Sequence, residues 1–172
     1  MQKKELARWI FKESYITGKF KLRSGIISNE YFDKYQFESD PFLLEEIINH
    51  LKNMINFPFD IVAGLEIGGI PLATLMGIAL MKPIVFVRKK AKEYGTAKLV
   101  EGVDVNNKEL LIIEDVVTSG GQIILSVDEL RKNGAIINHA ICVIDREQGG
   151  KEELKKNKIE LFSLFTMSEL KK

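Results

Sequence analysis

Apolar residues recur along the chain with two different spacings, and the change between them predicts where helices and strands lie. A helical spacing of apolar positions predicts a first helix from Gln2 to about Ile16. Residues 20–37 are rich in aromatic and β-branched side chains and are broken by Ser-Gly and Ser-Asn pairs, which predicts one or two hairpins. Asp40 followed by Pro41 is typical of a helix start, and this helix is expected to extend to about Ile55.

From residue 60 onward, short apolar runs alternate with segments of helical spacing. This alternation predicts an α/β fold in which a central parallel sheet is flanked by helices on both faces. No repeat or linker interrupts the pattern, so residues 1–172 are expected to form a single domain with additional N-terminal elements over about 1–40. The predicted strands cover 60–65, 83–87, a short piece from 99 to 102, 110–113, 136–144 and 159–165, and the helices cover 70–81, 122–133 and 151–157.

Composition narrows the class of protein. With 45% hydrophobic and 28% charged residues and a formal net charge of +1, the chain is typical of a soluble globular protein. The near-neutral charge gives no support for a nucleic-acid or membrane partner. Cys142 is the only cysteine, which excludes an intramolecular disulfide and suits a reducing compartment. The N-terminus lacks a secretory pattern and the apolar run 70–81 is too short to span a bilayer, so a cytoplasmic location is expected.

Candidate chemistry is concentrated between residues 110 and 122. The predicted strand there leads into Glu114 and Asp115, and a glycine-containing turn then leads into the next helix. Such a turn offers backbone N–H groups and the positive end of a helix to a phosphate, whereas the two carboxylates suit sugar hydroxyls or a metal ion. A sugar phosphate satisfies both, although a purely structural turn would have the same outline. The segment has neither the Gly-Lys-Ser/Thr of a Walker A loop nor the GxGxxG of a dinucleotide site.

Three other segments add charge or glycine at predicted strand ends. In the segment GLEIGGIPLA at 64–73, a predicted strand ends in clustered glycines and a second helix begins after them. Residues 88–98 hold five cations, one acid and one glycine, and form either a solvated loop or a clamp for pyrophosphate. Arg146 follows the strand 136–144, at an edge where parallel sheets bind ligands.

Between about residue 20 and residue 150, these sequence motifs and their order resemble those of the type I phosphoribosyltransferases, and among them the orotate phosphoribosyltransferase family. The resemblance implies the type I phosphoribosyltransferase fold with an N-terminal hood. It also implies transfer of the phosphoribosyl group from phosphoribosyl pyrophosphate (PRPP) to orotate, giving orotidine 5′-phosphate and pyrophosphate in pyrimidine (UMP) biosynthesis. Mg²⁺ is the cofactor expected from the resemblance, held mainly by substrate phosphates and not by protein ligands. A homodimer that shares the segment 88–98 between subunits is expected as well.

The resemblance assigns roles to particular residues. Glu114 and Asp115 are expected to hold the ribose hydroxyls beside the reacting carbon, and Lys92 is the third residue expected to be catalytic. Pyrophosphate is expected to bind at Gly68 and, across the dimer, at the segment 88–98, through Arg88, Lys89, Lys92 and Tyr94. The 5′-phosphate site is expected at Val116, Val117, Thr118, Ser119, Gly120, Gly121 and Gln122, of which Thr118 also touches orotate.

The base is expected to lie between the hood and the end of the strand 136–144. Arg146 would bind the orotate carboxylate, which is a pairing that suits a guanidinium. Arg23, Tyr31 and Phe32, which belong to the motif FKLRSGIISNEYFD, would frame the orotate ring. The chain departs from the family pattern in three places: Arg23 replaces a lysine, Tyr94 replaces a histidine, and the lysine that some orotate enzymes carry near Gly68 is absent.

Two other classes are compatible with parts of the sequence. A phosphoribosyltransferase for a purine or for uracil would share the Glu-Asp turn but would not need Arg146 or the motif at residues 20–33. A PRPP-binding regulator would keep the phosphate turn, lose the cationic segment 88–98 and add a DNA-binding segment. The presence of Arg146 and of the cationic segment therefore favours the orotate enzyme.

Overall fold

The computed structural model describes residues 1–21, 25–89 and 99–172 and is built around a six-stranded sheet. Its spatial order is β5-β4-β3-β6-β7-β8, and every neighbouring pair is parallel except β4 and β5, which are antiparallel. The predicted parallel sheet is thus confirmed, with one antiparallel strand at its edge. The strands are β3 (Ile61–Leu65), β4 (Ile84–Val87), β5 (Val100–Gly102), β6 (Glu109–Val117), β7 (Ile136–Asp145) and β8 (Glu160–Thr166).

Helices cover both faces of the sheet, as the alternation of elements predicts. Leu111 and Ile113 of β6 belong to one buried cluster, while Leu110 and Ile112 of the same strand belong to the other. Successive side chains of a strand point to opposite faces, so an uninterrupted apolar run is what a sheet covered on both sides requires. The helices are α1 (Lys3–Ser14), α2 (Lys34–Glu38), α3 (Pro41–Lys52), α4 (Gly69–Leu80), α5 (Gly121–Lys132), α6 (Gly150–Lys156) and α7 (Met167–Leu170).

The N-terminal elements form a separate layer. Strands β1 (Tyr15–Lys21) and β2 (Ile27–Phe32) pair as an antiparallel hairpin, and α2 follows directly. The expectation of β structure through Phe37 is wrong over 34–38. Asp33 accepts a hydrogen bond from the Tyr35 backbone N–H at 3.2 Å, and this cap together with the complete burial of Phe37 favours a helical turn.

Two further differences from the predicted elements lie at the end of β6 and directly after β8. Strand β6 extends to Val117, four residues beyond the predicted end at Ile113, because it pairs with β7 through Asp145. Helix α7 is not predicted, and it begins with a reciprocal cap between Thr166 and Glu169. Over the described residues, no helix has the length and apolar character needed to cross a membrane.

Candidate active site

The central part of the site is the turn between β6 and α5. Gly120 adopts the left-handed conformation with φ of +78°, and α5 starts at the next residue without a side-chain cap. Thr118, Ser119, Gly121 and Gln122 are exposed around this turn. An uncapped helix start with exposed small and polar residues presents backbone N–H groups to an anion. The structure therefore gives the predicted phosphate site the strand, turn and helix that it requires.

The acidic pair lies inside β6, because the strand continues beyond its predicted end at Ile113. Glu114 is partly exposed, whereas the Asp115 side chain is 1% exposed. The Asp115 backbone N–H donates to Glu114 Oε1 at 3.1 Å, and Asp115 Oδ1 accepts from the Val116 backbone N–H. Val116 is partly exposed and Val117 is buried in the core. Both carboxylates thus lie in the last part of β6, just before the phosphate turn.

Residues 66–69, called here the 66–69 turn, connect β3 with α4 beside this pair. The peptide bond between Glu66 and Ile67 is cis. A Cβ atom added at Gly68 would lie 1.4 Å from Asp115 Oδ2, so only glycine fits there. The pyrophosphate turn expected from the sequence and the carboxylates expected to hold ribose are therefore in direct contact.

Two residues that sequence reasoning missed complete the acidic group. Lys34 of α2 donates to Asp115 Oδ2 and forms an ion pair with it. Glu38, one turn further along α2, is 8% exposed and its Oε1 lies 3.0 Å from where a Gly68 Cβ would be. The two residues precede Asp115 by 81 and 77 positions, and no local spacing in the sequence indicates such a contact.

The protonation of the acidic group is set by burial and by its members' proximity. Burial and the neighbouring Asp115 raise the pKa of Glu38 to about 8. The same two causes raise the pKa of Glu114 well above its ordinary value. For Asp115, burial acts in the opposite direction to its hydrogen bonds and to the Lys34 ammonium, and these contacts lower its pKa. Asp115 is therefore the member of the group whose ionised form its surroundings favour.

The predicted cationic segment starts at the edge of the same site. The Arg88 backbone N–H donates to Leu99 O at 2.9 Å, so the described residues on either side of 90–98 lie next to each other. The Lys89 backbone N–H donates to Glu66 Oε2 at 2.9 Å, which ties the start of the segment to the 66–69 turn. A cavity of about 340 Å³ beside this contact is lined in part by Glu66, Ile67 and Arg88. Lys92 and Tyr94 lie outside the described residues.

Arg146 lies at the adjacent strand end. Its backbone N–H donates to Val117 O at 2.9 Å, which places the exposed Arg146 next to the phosphate turn. The carboxylate of Glu30 in β2 is near enough for the Arg146 charge to contribute to lowering the pKa of Glu30, after the larger effects of Tyr15 and Lys171. Arg146 thus lies within electrostatic range of the hood hairpin.

The two aromatic residues expected to frame the base lie on opposite sides of β2. Tyr31 is 43% exposed and packs near Phe20, with ring centroids 5.5 Å apart. Phe32 packs instead against the core, with its ring centroid 6.5 Å from that of Phe37. Tyr31 is therefore the better placed of the two to meet a ligand from the open side of the hairpin. Arg23 lies outside the described residues.

Comparison with known proteins identifies the family of this site. The profile of the phosphoribosyl transferase domain matches residues 42–166. Orotate phosphoribosyltransferase from a Nocardioides species is 43% identical over 155 residues, which cover 90% of this chain and 87% of the relative. The enzyme of the same name from Methanocaldococcus jannaschii is 39% identical over 153 residues, covering 89% of this chain and 87% of the relative. The chain belongs to the orotate phosphoribosyltransferases.

A solved structure agrees with this family. Orotate phosphoribosyltransferase from Mycobacterium tuberculosis superposes with a TM-score of 0.85 at 25% identity, and the match covers 98% of both chains. The type I phosphoribosyltransferase fold predicted from the sequence is thereby confirmed for this orotate phosphoribosyltransferase chain. The roles of the individual residues named above remain predictions.

Proposed function

We propose that the carboxyl edge of β3, β6 and β7 is the active site at which the protein transfers the phosphoribosyl group of PRPP to orotate. The main support is the contact between Gly68 and Asp115, which joins a turn suited to pyrophosphate with a carboxylate suited to ribose. The uncapped start of α5 lies at the end of the same strand as Asp115, where it suits the 5′-phosphate. These three positions match the three parts of PRPP.

The reaction follows from the charges that develop. As the bond between ribose C1 and pyrophosphate breaks, positive charge develops on the ring and negative charge leaves with the pyrophosphate. Asp115, ionised and fixed by its hydrogen bonds, would hold the ribose hydroxyls next to the positive carbon together with Glu114. A ring nitrogen of orotate then forms the new bond to C1, so the protein supplies position and charge and no covalent nucleophile.

Arg88, Lys89 and Lys92 would take up the charge on pyrophosphate, and Mg²⁺ would share that work when bound with PRPP. Mg²⁺ favours oxygen ligands, especially substrate phosphates. Asp115 and Glu38 have carboxylate oxygens beside the 66–69 turn, but Lys34 already pairs with Asp115 and the pKa of Glu38 is raised to about 8. These side chains fit an ion that is held mainly by the substrate better than one held by the protein.

Orotate would lie between the hood and β7. Arg146 is exposed beside the phosphate turn and would pair with the orotate carboxylate, while Tyr31 would pack on the ring from β2. A base without a carboxylate would leave Arg146 without that partner. This arrangement favours orotate over uracil or a purine.

We also propose that the protein is a cytoplasmic homodimer that forms through α3 and α4. Phe42, Ile78 and Met81 are 55%, 63% and 89% exposed on or next to these helices, and large exposed apolar side chains of this kind suit a protein interface. Ile70 near the start of α4 lines the same cavity as Arg88, so a partner bound along α4 would reach the start of the segment 88–98. The dimer would thus bring the cations of one subunit to the site of the other.

An absorbance assay with PRPP and Mg²⁺ tests the reaction, with orotate, uracil and hypoxanthine offered in turn. We expect consumption of orotate alone. Purified, folded protein that consumes no orotate, or that prefers another base, would contradict the proposed function.

A further inference from the structure

We propose that Lys34 is a pyrophosphate-binding residue: its ammonium, held by Asp115 in the free protein, supplies to PRPP the positive charge that the 66–69 turn lacks. This inference rests on the proposed function and names a residue of the same site. The 66–69 turn has no positively charged side chain of its own with which to bind pyrophosphate. The turn itself contains Glu66 and no lysine or arginine, and it lies against Asp115.

Lys34 lies where it can supply this missing positive charge. Asp115 Oδ2 is the atom that lies closest to Gly68, and it is the same atom that accepts the hydrogen bond from Lys34 Nζ. The ammonium is therefore one hydrogen bond away from the carboxylate that touches the turn. Within the described residues, Lys34 is the cation that forms an ion pair with this acidic group.

The Lys34 side chain is also able to serve a second partner. It is 31% exposed, although Asp115 is buried, so part of the side chain is accessible to a ligand. An ammonium has three donors on a flexible four-carbon stem, and the bond to Asp115 uses one of them. Lys34 can thus keep its contact with Asp115 and donate to a phosphate oxygen at the same time.

Glu38 makes this arrangement more favourable for an anion. Its Oε1 is buried next to the turn. With a pKa raised to about 8 by burial and by Asp115, the Glu38 carboxyl is mostly neutral at pH 7 and adds little repulsion against pyrophosphate. The Lys34 charge is then balanced mainly by Asp115 alone.

The experiment compares two fragments of PRPP, of which only one contains the pyrophosphate group that Lys34 would bind. Calorimetry measures the affinity for pyrophosphate with Mg²⁺ and for ribose 5-phosphate, which carries the sugar hydroxyls and the 5′-phosphate but no pyrophosphate. We expect Lys34→Met to weaken pyrophosphate binding roughly ten- to a hundredfold, as loss of a charged hydrogen bond does. Ribose 5-phosphate binding should change by less than about threefold, and Lys34→Arg should recover most of the pyrophosphate affinity.

Two controls separate this role from a structural one. Lys156→Met removes an exposed lysine that pairs with Glu153 on α6, and it should leave both affinities unchanged. Lys34→Met leaves Asp115 buried without its cation, which can destabilise the fold. A second pair of variants, Asp115→Asn and Lys34→Met/Asp115→Asn, avoids this, and the double variant should still bind pyrophosphate about tenfold more weakly than Asp115→Asn.

Equal losses for both ligands in Lys34→Met, or equal pyrophosphate affinities in the two variants that carry Asp115→Asn, would overturn the inference. The first result would show that Lys34 only positions Asp115 for the ribose. Because the measurement is of binding and not of turnover, a failure of the orotate assay would contradict the proposed function without deciding this question.

Discussion

At the carboxyl edge of the sheet, Asp115 is 1% exposed and lies against the backbone of Gly68, whereas Glu30 in the hood is half exposed and is held by side chains. The Glu30 carboxylate accepts hydrogen bonds from Tyr15 at 2.5 Å and from Lys171 at 3.1 Å. A group packed on backbone has no room to adjust, while long exposed side chains can reorient. The half of the site that we propose for the phosphoribosyl group is therefore built by packing, and the half proposed for the base by adaptable polar contacts.

The most severe test of this difference is Gly68→Ala. The new methyl group would overlap Asp115 Oδ2, and neither the buried carboxylate nor the turn can move without disturbing β6. Because misplacement by about 1 Å at a reacting centre costs on the order of a hundredfold in rate, we expect kcat/KM to fall at least that far. Both substrates should be affected, and steady-state kinetics measures the effect.

Gly149→Ala is the control for this substitution. A Cβ at Gly149 would meet nothing within 4 Å, but the residue has a φ of +83°. We expect a loss of about 1 kcal/mol in the free energy of unfolding, since alanine is strained there, with activity retained. If Gly68→Ala were as active as Gly149→Ala, the close packing of turn and carboxylate would not matter for catalysis.

The next largest effect is expected from Arg146→Ala, at the junction of the two regions. Removal of a charged hydrogen bond to the orotate carboxylate should raise the KM for orotate about ten- to a hundredfold. The KM for PRPP should change little, because Asp115 and the phosphate turn are held by β6 and not by the Arg146 side chain. Arg8→Ala, an exposed arginine on α1, should leave both constants unchanged. Equal increases in both KM values would remove Arg146 from the base site.

An intermediate effect is expected when two inactive variants are mixed. Lys92→Ala and Asp115→Ala should each be nearly inactive, but a hybrid of the proposed dimer combines one unaltered segment 88–98 with one unaltered strand β6. Random reassociation makes half of the dimers hybrid, each with one of two sites restored, so about a quarter of the wild-type activity should return. Each variant reassociated with itself is the control. No recovery would show that the segment 88–98 acts within its own chain.

The two regions also differ in how far the sequence predicts them. Strand β6 and the turn after it follow from neighbouring residues, because an apolar run, two acids and a pair of glycines indicate their positions locally. The sheet follows in the same way from the alternation of strands and helices. The end of β6 nevertheless lies four residues beyond the predicted one, since its pairing with β7 carries the polar residues into the strand.

Contacts between distant parts of the chain could not be predicted in this way. Lys34 reaches Asp115 across 81 positions, and α2 itself is a five-residue helix within aromatic residues that favour strands. The fold brings them together because the hairpin places α2 over the carboxyl edge of the sheet. The site at which sequence reasoning noted a missing lysine is thus the site where a remote lysine is found.

The smallest effect is expected in the hood, from Glu30→Gln. The hydrogen bonds from Tyr15 and Lys171 lower the pKa of Glu30 below its ordinary value of 4.5. Its ionised form therefore stabilises the fold above pH 4.5, and this contribution is lost as the pH falls through the lowered pKa. At pH 7 we expect Glu30→Gln to lower Tm by only about 1–3 °C, as is usual for exposed ion pairs, and calorimetric scans measure the difference.

The pH dependence of that difference decides whether the Glu30 charge is responsible. The Tm values of wild type and Glu30→Gln should converge as the pH falls well below 4.5, because the wild-type carboxylate is then protonated. Tyr15→Phe removes one of the two donors and should show the same trend with a smaller amplitude. A Tm difference that stays constant or grows at low pH would mean that the hood depends on the shape of this side chain. In that case the half of the site proposed for the base would be packed in the same manner as the sheet edge, and the contrast between the two regions would not hold.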